Sequence, residues 1–295
     1  MPFGSFKLND GTEIPAIAFG TGSTMKGTDV TQYVEQALEH GFSHIDTAAY
    51  YQTEKYVGKA IREEGLKRSD MYITTKFMQM GIKQVDLYLI HNPRTVPGTI
   101  EEAWKEFEKI KEDGLSKSIG VSNFNLEQLQ QLVKVAKVKP VVNQISFNPY
   151  NWKDIKELVK YSDSQGIITE AYSSLTPITR TPGGPVDPVL KSIGLRLGAT
   201  PAQVIFSWVK SKGAVIVTTT TKVDRLHEYL EVADLPELTP EEVAAIEEAG
   251  AKGAPSGILI TAVERLGEVD RSKFLIFLIA FLVTCYFTFQ WDLSR

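Results

Sequence analysis

Polar and ionisable residues recur at the points where short apolar runs of this sequence end. They bring hydroxyl, carboxylate, ammonium, imidazole, amide and phenol groups: Thr21, Asp46, Lys76, His91, Ser122, Asn123, Gln144, Tyr172, Thr219 and Thr220. One such residue alone is typical of a solvated strand end. Recurrence at the same end of successive strands predicts a single polar site. Such a set of groups can exchange protons and form hydrogen bonds.

Composition and motif content exclude several other chemistries. The chain has 295 residues, a formal net charge of −4 and no Lys/Arg run longer than two residues, which argues against nucleic-acid binding. Its single cysteine, Cys285, rules out an internal disulfide and a CxxC-type metal site, and it fits a reducing, cytoplasmic location. The sequence contains no GxGxxG turn, so a Rossmann-type cofactor site is not supported, and no metal-ligand cluster is evident. The opening MPFGSFKLNDG has no apolar core typical of a secretory signal.

The elements that must position the polar residues are strands alternating with helices. Asn9-Asp10-Gly11 between extended arms predicts an N-terminal hairpin. Eight strand-like runs follow, the first at Ala16–Gly22, and amphipathic helical patterns separate most of them. Thr99 and Glu102 form a capping box before one such helix. This alternation predicts a (β/α)8 TIM barrel, in which chemistry takes place at the carboxyl ends of the strands.

Seven motifs identify a family that the chain resembles. In order, they are FGTG, GFSHIDTAAYY, ITTK, DLYLIHNP, IGVSNF, NQISFNPY and TEAYSSL. Over roughly residues 5–250 the chain resembles the aldo-keto reductases, and it is most similar to fungal members that reduce ketones and conjugated dicarbonyls. The resemblance implies NADPH-dependent reduction of a small carbonyl substrate by a monomer.

The resemblance assigns four catalytic residues. These are Asp46, Tyr51, Lys76 and His91; Asp46 also belongs to the cofactor-binding set, and Tyr50 is a neighbour with no assigned role. A ketone that accepts hydride needs a proton for its developing alkoxide, and a tyrosine donates one near neutrality only if its anion is stabilised. Lys76 is expected to lower the pKa of Tyr51, with Asp46 orienting the lysine. His91 is expected to polarise the carbonyl oxygen.

The same resemblance assigns the residues around the nicotinamide. Ser122, Asn123 and Gln144 match the positions that hold the carboxamide, whose donors and acceptors suit a hydroxyl and two amides. Tyr172 matches the ring that stacks on the nicotinamide, and Thr21 matches a residue near the ribose.

The phosphate and adenine contacts are assigned in the same way. Ser173 and Leu175 match the pyrophosphate loop, and Glu228 matches an adenine contact. Arg225 matches the arginine that binds the 2′-phosphate. Most members of the family carry Lys-Ser where this chain has Thr219-Thr220. The chain thus lacks one phosphate-binding ammonium but keeps Arg225. NADPH therefore remains the expected cofactor, with NADH a secondary one.

One departure from the family lies between the third and fourth barrel strands. Only eight residues, FMQMGIKQ, separate Lys76 from Val85, and the family usually has a loop and a whole helix there. A parallel crossover normally takes ~10–12 residues, although eight extended residues span up to ~27 Å. The sequence therefore predicts a barrel that lacks this helix. We expect either a destabilised barrel, a displaced Lys76, or a sequence that arose by exon skipping.

A second departure follows the barrel, which is expected to occupy residues 1–250. Residues 251–273 are interpreted as a linker, and residues 274–291 as a hydrophobic helix of 18 residues. That length approaches the ~20 residues that span a bilayer. Arg265, Arg271 and Lys273 precede it, so the segment predicts a membrane tail anchor with the barrel on the cytosolic side. A buried or dimer-covered helix, or a tail produced by an altered reading of the gene, are the alternatives.

Three functions stay open on the sequence. The first is an NADPH-dependent carbonyl reductase that uses the four catalytic residues. The second is a cofactor-binding but catalytically weak sensor or regulatory subunit at a membrane, which the shortened connection and the apolar tail favour. The third is an unrelated barrel hydrolase or isomerase, and the absence of a phosphate-binding Gly-rich turn at strands seven and eight argues against it.

Overall fold

An antiparallel hairpin of β1 (Ser5–Lys7) and β2 (Glu13–Pro15) opens the chain. A computed structural model of the protein describes residues 3–76 and 83–255. Leu8 N donates to Thr12 O at 2.8 Å across the turn, as the Asn-Asp-Gly pattern predicts. Leu8 and Ile14 are buried against barrel residues such as Leu87, so the hairpin closes one end of the barrel.

Eight parallel strands form a closed barrel, which confirms the predicted fold class. Each strand pairs with its neighbours in chain order, and the last strand returns to the first with Ile216 opposite Ile17. The barrel strands are β3 (Ile17–Gly20), β4 (His44–Asp46), β5 (Tyr72–Thr75), β6 (Val85–Ile90), β7 (Ser116–Ser122), β8 (Val142–Ser146), β9 (Ile168–Tyr172) and β10 (Val215–Thr218).

Amphipathic helices surround the barrel and bury their apolar faces against it. The helices are α1 (Thr31–Glu39), α2 (Glu54–Glu63), α3 (Ile100–Glu112), α4 (Leu126–Val135), α5 (Trp152–Ser164), α6 (Thr176–Thr179), α7 (Asp187–Leu197), α8 (Pro201–Ser211), α9 (Val223–Leu230) and α10 (Pro240–Ala251). Capping boxes begin four of them, at Thr99, Asn125, Thr200 and Thr239. Each box satisfies backbone donors that the first helical turn leaves unpaired.

The barrel remains paired on both sides of the shortened connection. β5 ends at Thr75 and β6 begins at Val85, and the two strands pair in parallel with Thr75 opposite Tyr88. Tyr88 in turn stacks on Phe107 of α3, with ring centroids 4.8 Å apart. The predicted connection without a helix falls mainly on residues 77–82, which lie outside the described residues.

The predicted hydrophobic helix at residues 274–291 and most of the predicted linker also lie outside the described residues. Within residues 3–76 and 83–255, no helix has the length and apolar character needed to cross a bilayer.

Candidate active site

One cavity of about 710 Å³ lies where the barrel strands end. It is lined by residues that lie in or follow seven of the eight barrel strands, and most of the predicted site residues are among them: Asp46, Tyr51, His91, Ser122, Asn123, Gln144, Tyr172, Ser173, Leu175, Thr219, Thr220 and Arg225. A volume of this size accommodates a cofactor-sized ligand. The polar strand ends therefore converge on a single site, as their recurrence predicts.

A buried ion pair forms the floor of this site. Lys76 Nζ donates to both carboxylate oxygens of Asp46, at 3.0 and 2.9 Å, and lies 3.3 Å from Thr47 O. The two side chains are 0% and 3% exposed. Burial alone would lower the pKa of Lys76, but the neighbouring acidic groups, Asp46 foremost, together outweigh it and the pKa is raised. Lys76 is therefore charged and held in place, so the expectation that the shortened connection displaces it is wrong.

Tyr51 enters the cavity from a single 3-10 turn directly after β4. Lys76 Nζ lies 5.3 Å from the centre of its ring. Burial raises the pKa of Tyr51, and Lys76 lowers it but does not reverse the shift. The pKa thus stands above its ordinary value, contrary to the expected net lowering. The lysine stabilises the phenolate relative to burial alone. The neighbouring Tyr50 is 71% exposed.

His91 stands edge-on to Tyr51. Their ring centroids are 5.5 Å apart and the ring planes are 88° to each other. Burial lowers the pKa of His91 to about 4, and the charge of Lys76 acts in the same direction. The imidazole is therefore neutral at physiological pH. A neutral imidazole can donate one hydrogen bond to an oxygen without carrying a charge.

Hydroxyl and amide groups next to these residues form one hydrogen-bonded chain. Tyr172 OH donates to Asn123 Oδ1 at 2.7 Å. Asn123 Nδ2 donates to Ser122 Oγ at 3.0 Å and to His91 O at 2.9 Å. Ser122 Oγ donates to Gln144 O at 2.9 Å. The residues assigned to the nicotinamide carboxamide and ring are thus brought together by hydrogen bonds beside Tyr51 and His91.

Three residues of the cavity wall adopt left-handed backbone conformations. Ser23, Asn123 and Ser173 have φ values of 58°, 62° and 58°. Each such residue costs about 1–3 kcal/mol and persists only where the surroundings impose it. All three line the cavity. Strain concentrated at one site of a barrel indicates that the site is functional.

Apart from Lys76, which contacts the site through Asp46, two assigned residues do not line the cavity. The Thr21 side chain is fully buried and lies 2.9 Å from the hydroxyl oxygens of Thr47 and Thr53. Glu228 Oε1 accepts a hydrogen bond from Thr200 at 2.5 Å, and Glu228 is not among the residues that line the cavity. Gly22 and other residues that directly follow Thr21 line the cavity instead.

Three basic residues of the cavity wall were not foreseen from the sequence. They are Lys26, Arg180 and Lys222. Lys26 Nζ lies 4.5 Å from the centre of the Tyr50 ring. Lys222 lies two residues after the Thr219-Thr220 pair, where most members of the family carry Lys-Ser. This short distance from the usual lysine position could have identified Lys222 as a candidate phosphate-binding residue. No group of residues able to hold a metal ion occurs in the described parts of the chain.

The barrel and its site define a (β/α)8 enzyme in which a buried Asp–Lys pair supports a tyrosine beside a histidine. The Aldo/keto reductase family model matches residues 16–84 and 78–251. The chain belongs to the aldo/keto reductase family. The two matches overlap at residues 78–84, which places the break in the family pattern at the shortened connection.

Similar proteins cover most of the chain. The NAD/NADP-dependent indole-3-acetaldehyde reductase of Schizosaccharomyces pombe is 36% identical over 247 residues, 75% of this chain and 86% of that protein. The NADPH-dependent alpha-keto amide reductase of Saccharomyces cerevisiae is 35% identical over 85% of this chain and 92% of its own length. This chain is also similar to the crystal structure of a Bombyx mori aldo-keto reductase in complex with NADP, with a TM-score of 0.74 and 33% sequence identity. The match covers 83% of this chain and 92% of that one.

Proposed function

We propose that this protein is an NADPH-dependent reductase that converts aldehydes and ketones to alcohols, with Tyr51 as the proton donor. The observation that carries the proposal is that Tyr51, His91 and Asp46 line the same cavity as Arg225, with Lys76 paired to Asp46 beside Tyr51. Two of the similar proteins are named as NADPH- or NAD/NADP-dependent reductases of carbonyl compounds.

The chain's own residues handle the proton and the developing negative charge. When bound, the reduced nicotinamide supplies the hydride. His91, neutral at physiological pH, donates a hydrogen bond to the carbonyl oxygen. Tyr51 transfers its hydroxyl proton to that oxygen as the alkoxide develops. Lys76 stabilises the resulting phenolate, and Asp46 keeps the lysine charged and oriented.

The cavity fits a dinucleotide with a 2′-phosphate. Arg225 lines it, and a guanidinium binds phosphate in a bidentate manner. Lys222 also lines it and supplies an ammonium that Thr219 and Thr220 do not. Backbone strain at Ser173 shapes the loop assigned to the pyrophosphate. NADPH is therefore the preferred cofactor, and NADH is a secondary one.

The proposed substrates are small carbonyl compounds, with α-dicarbonyls among them. The amide substrate named for the yeast relative carries two adjacent carbonyl groups. In this chain Lys26 lies at the cavity beside Tyr50 and Tyr51, with its Nζ 4.5 and 5.3 Å from their ring centres. A cation at this position would favour substrates with a second electronegative group. NADPH consumption by the full chain against paired aldehydes, ketones and α-dicarbonyls tests this ranking.

A regulatory role is the second candidate, because the connection after Lys76 is shortened and residues 274–291 are apolar. In this alternative the barrel of residues 1–250 binds NADPH but catalyses reduction only weakly. Residues 251–273 link the barrel to a membrane helix. Two results would support it: NADPH binding without turnover, and retention in membranes after carbonate extraction. Introducing Leu278→Arg and Leu282→Arg into the apolar segment should abolish that retention without changing NADPH binding.

A further inference from the structure

A second carboxyl group lies next to the catalytic ion pair, inside the barrel. Glu170 is on β9 and is fully buried. Its Oε2 accepts a hydrogen bond from Gln144 Nε2 at 2.9 Å. The same nitrogen donates to Asp46 Oδ2 at 2.8 Å. Gln144 therefore bridges Glu170 and Asp46, while Glu170 itself does not line the cavity.

The two carboxyl groups determine how the Gln144 amide is turned. An amide nitrogen carries two hydrogens and no acceptor site, so the two contacts use both hydrogens. Gln144 Oε1 receives no hydrogen bond from any residue in the described ranges, and Gln144 is part of the cavity wall. The oxygen is thus the amide atom that is free to contact a ligand.

We propose that Glu170 is a positioning residue: it holds the Gln144 amide so that Oε1 faces the cavity and accepts a hydrogen bond from the carboxamide NH2 of the nicotinamide. This inference rests on the proposed function, because it concerns the same cofactor site. Without Glu170, only Asp46 would orient the amide. If the amide then rotated, its NH2 group would face the carboxamide NH2 of the nicotinamide, and two donors would meet without an acceptor.

The surroundings of Glu170 are compatible with this role. Burial raises its pKa to about 8, and the Asp46 carboxylate acts in the same direction. A carboxyl group that is protonated at neutral pH still accepts a hydrogen bond on its carbonyl oxygen. It does so without placing a second anion beside Asp46. Glu170 Oε1 lies 3.9 Å from Nε2 of His44, which is also buried.

The test compares a whole dinucleotide with a fragment that lacks the nicotinamide. Calorimetric titration of the full-length protein with NADP+ and with 2′,5′-ADP gives the two dissociation constants. Glu170→Leu should weaken NADP+ about 3- to 10-fold, the value of one net hydrogen bond, and leave 2′,5′-ADP unchanged. Glu170→Gln keeps a carbonyl acceptor and should restore the NADP+ affinity.

A matched control separates positioning from general destabilisation. Glu54 is another buried glutamate; it lies at the start of α2 and accepts from Thr75 Oγ1 at 2.5 Å. Glu54→Leu should leave the ratio of the two dissociation constants unchanged. If Glu170→Leu does not fold, Glu170→Asp withdraws the acceptor but keeps a buried carboxyl group, and it should show the same selective loss.

Each contrary outcome has a distinct meaning. If the folded Glu170 variants weaken both ligands equally, or neither, the positioning role is overturned while the proposed function stands. If the unmodified protein binds neither NADP+ nor 2′,5′-ADP, the proposed function fails, and this inference fails with it.

Discussion

Lys76 Nζ lies 2.9 Å from Asp46 Oδ2, although Lys76 directly precedes the shortest connection of the barrel. The pairing of β5 with β6 keeps the end of β5 in place, and Lys76 follows that strand by one residue. Lys76 is therefore positioned by the strand on its N-terminal side.

Removing the lysine should be costly, because it would leave a buried carboxylate without its partner. Lys76→Met should lower the free energy of unfolding by about 3–5 kcal/mol. It should also abolish carbonyl reduction, since the Tyr51 phenolate would lose its stabilising charge. Urea unfolding followed by circular dichroism measures the first effect, and NADPH consumption measures the second.

The double variant Asp46→Asn with Lys76→Met is the control for that experiment. It removes both charges, so most of the lost stability should return while activity stays absent. Equal stability of the single and double variants would show that the ion pair is not what Lys76 contributes.

Arg225 should discriminate between the two nicotinamide cofactors. A charge-assisted hydrogen bond contributes about 1.5–3 kcal/mol, so Arg225→Ala should weaken NADPH binding about 10- to 150-fold. NADH binding should change less than threefold. Lys222→Met should show a smaller change of the same kind. Equal losses for both cofactors in a fluorescence titration would contradict the 2′-phosphate assignment.

His91 should act as a neutral hydrogen-bond donor rather than as a charged acid. Because burial lowers its pKa to about 4, kcat/KM should show no titration near pH 6.5 between pH 5 and pH 8. His91→Ala should lower kcat by about 10²–10³-fold, the effect of removing one oxyanion donor, without changing the dissociation constant of NADPH. A His91-dependent step near pH 6.5 would show that the imidazole is protonated during turnover.

His44 should make the fold sensitive to acid. It is fully buried, and burial lowers its pKa from 6.5 to about 4. Below pH 6.5 the His44 side chain is therefore protonated in the unfolded chain, whereas in the folded chain it stays neutral down to about pH 4. The free energy of unfolding consequently falls as the pH falls from 6.5 to 4. His44→Gln should remove this contribution, about 1.2 kcal/mol between pH 6 and pH 5.

The comparison with the unmodified protein is essential in that experiment. His91 contributes a slope of the same sign, and Glu170, with its pKa raised to about 8, contributes one of opposite sign between pH 4.5 and pH 8. Parallel curves for the His44→Gln variant and the unmodified protein would show that His44 is not neutral in the folded state.

The barrel was predictable because it depends on local pattern, and the candidate site residues were assigned from the motifs that carry the family resemblance. Apolar runs and capping boxes such as that of Thr99 specify the elements; Asp46 ends β4, and Lys76 directly follows β5. What depends on distant neighbours was not predictable. Gln144 lies 98 residues from Asp46 and 26 from Glu170, and their hydrogen bonds exist only once the barrel closes.

Burial accounts for the remaining differences. Thr21 was assigned to the cofactor because it matches a family position near the ribose, but its hydroxyl points into a buried cluster with Thr47 and Thr53. The direction of the Tyr51 pKa shift depends on how deeply the closed barrel buries that side chain. Sequence indicates which groups are present, whereas their exposure is determined by packing.

The most direct test of the central claim is the steady-state rate of NADPH oxidation by the full chain with a reactive aldehyde or α-dicarbonyl, compared with Tyr51→Phe. We predict substrate-dependent oxidation by the unmodified protein. We predict loss of turnover in the variant, at least 10²-fold given the size of general acid catalysis, with unchanged NADPH affinity. Turnover in Tyr51→Phe equal to that of the unmodified protein would contradict the assignment of Tyr51 as the proton donor.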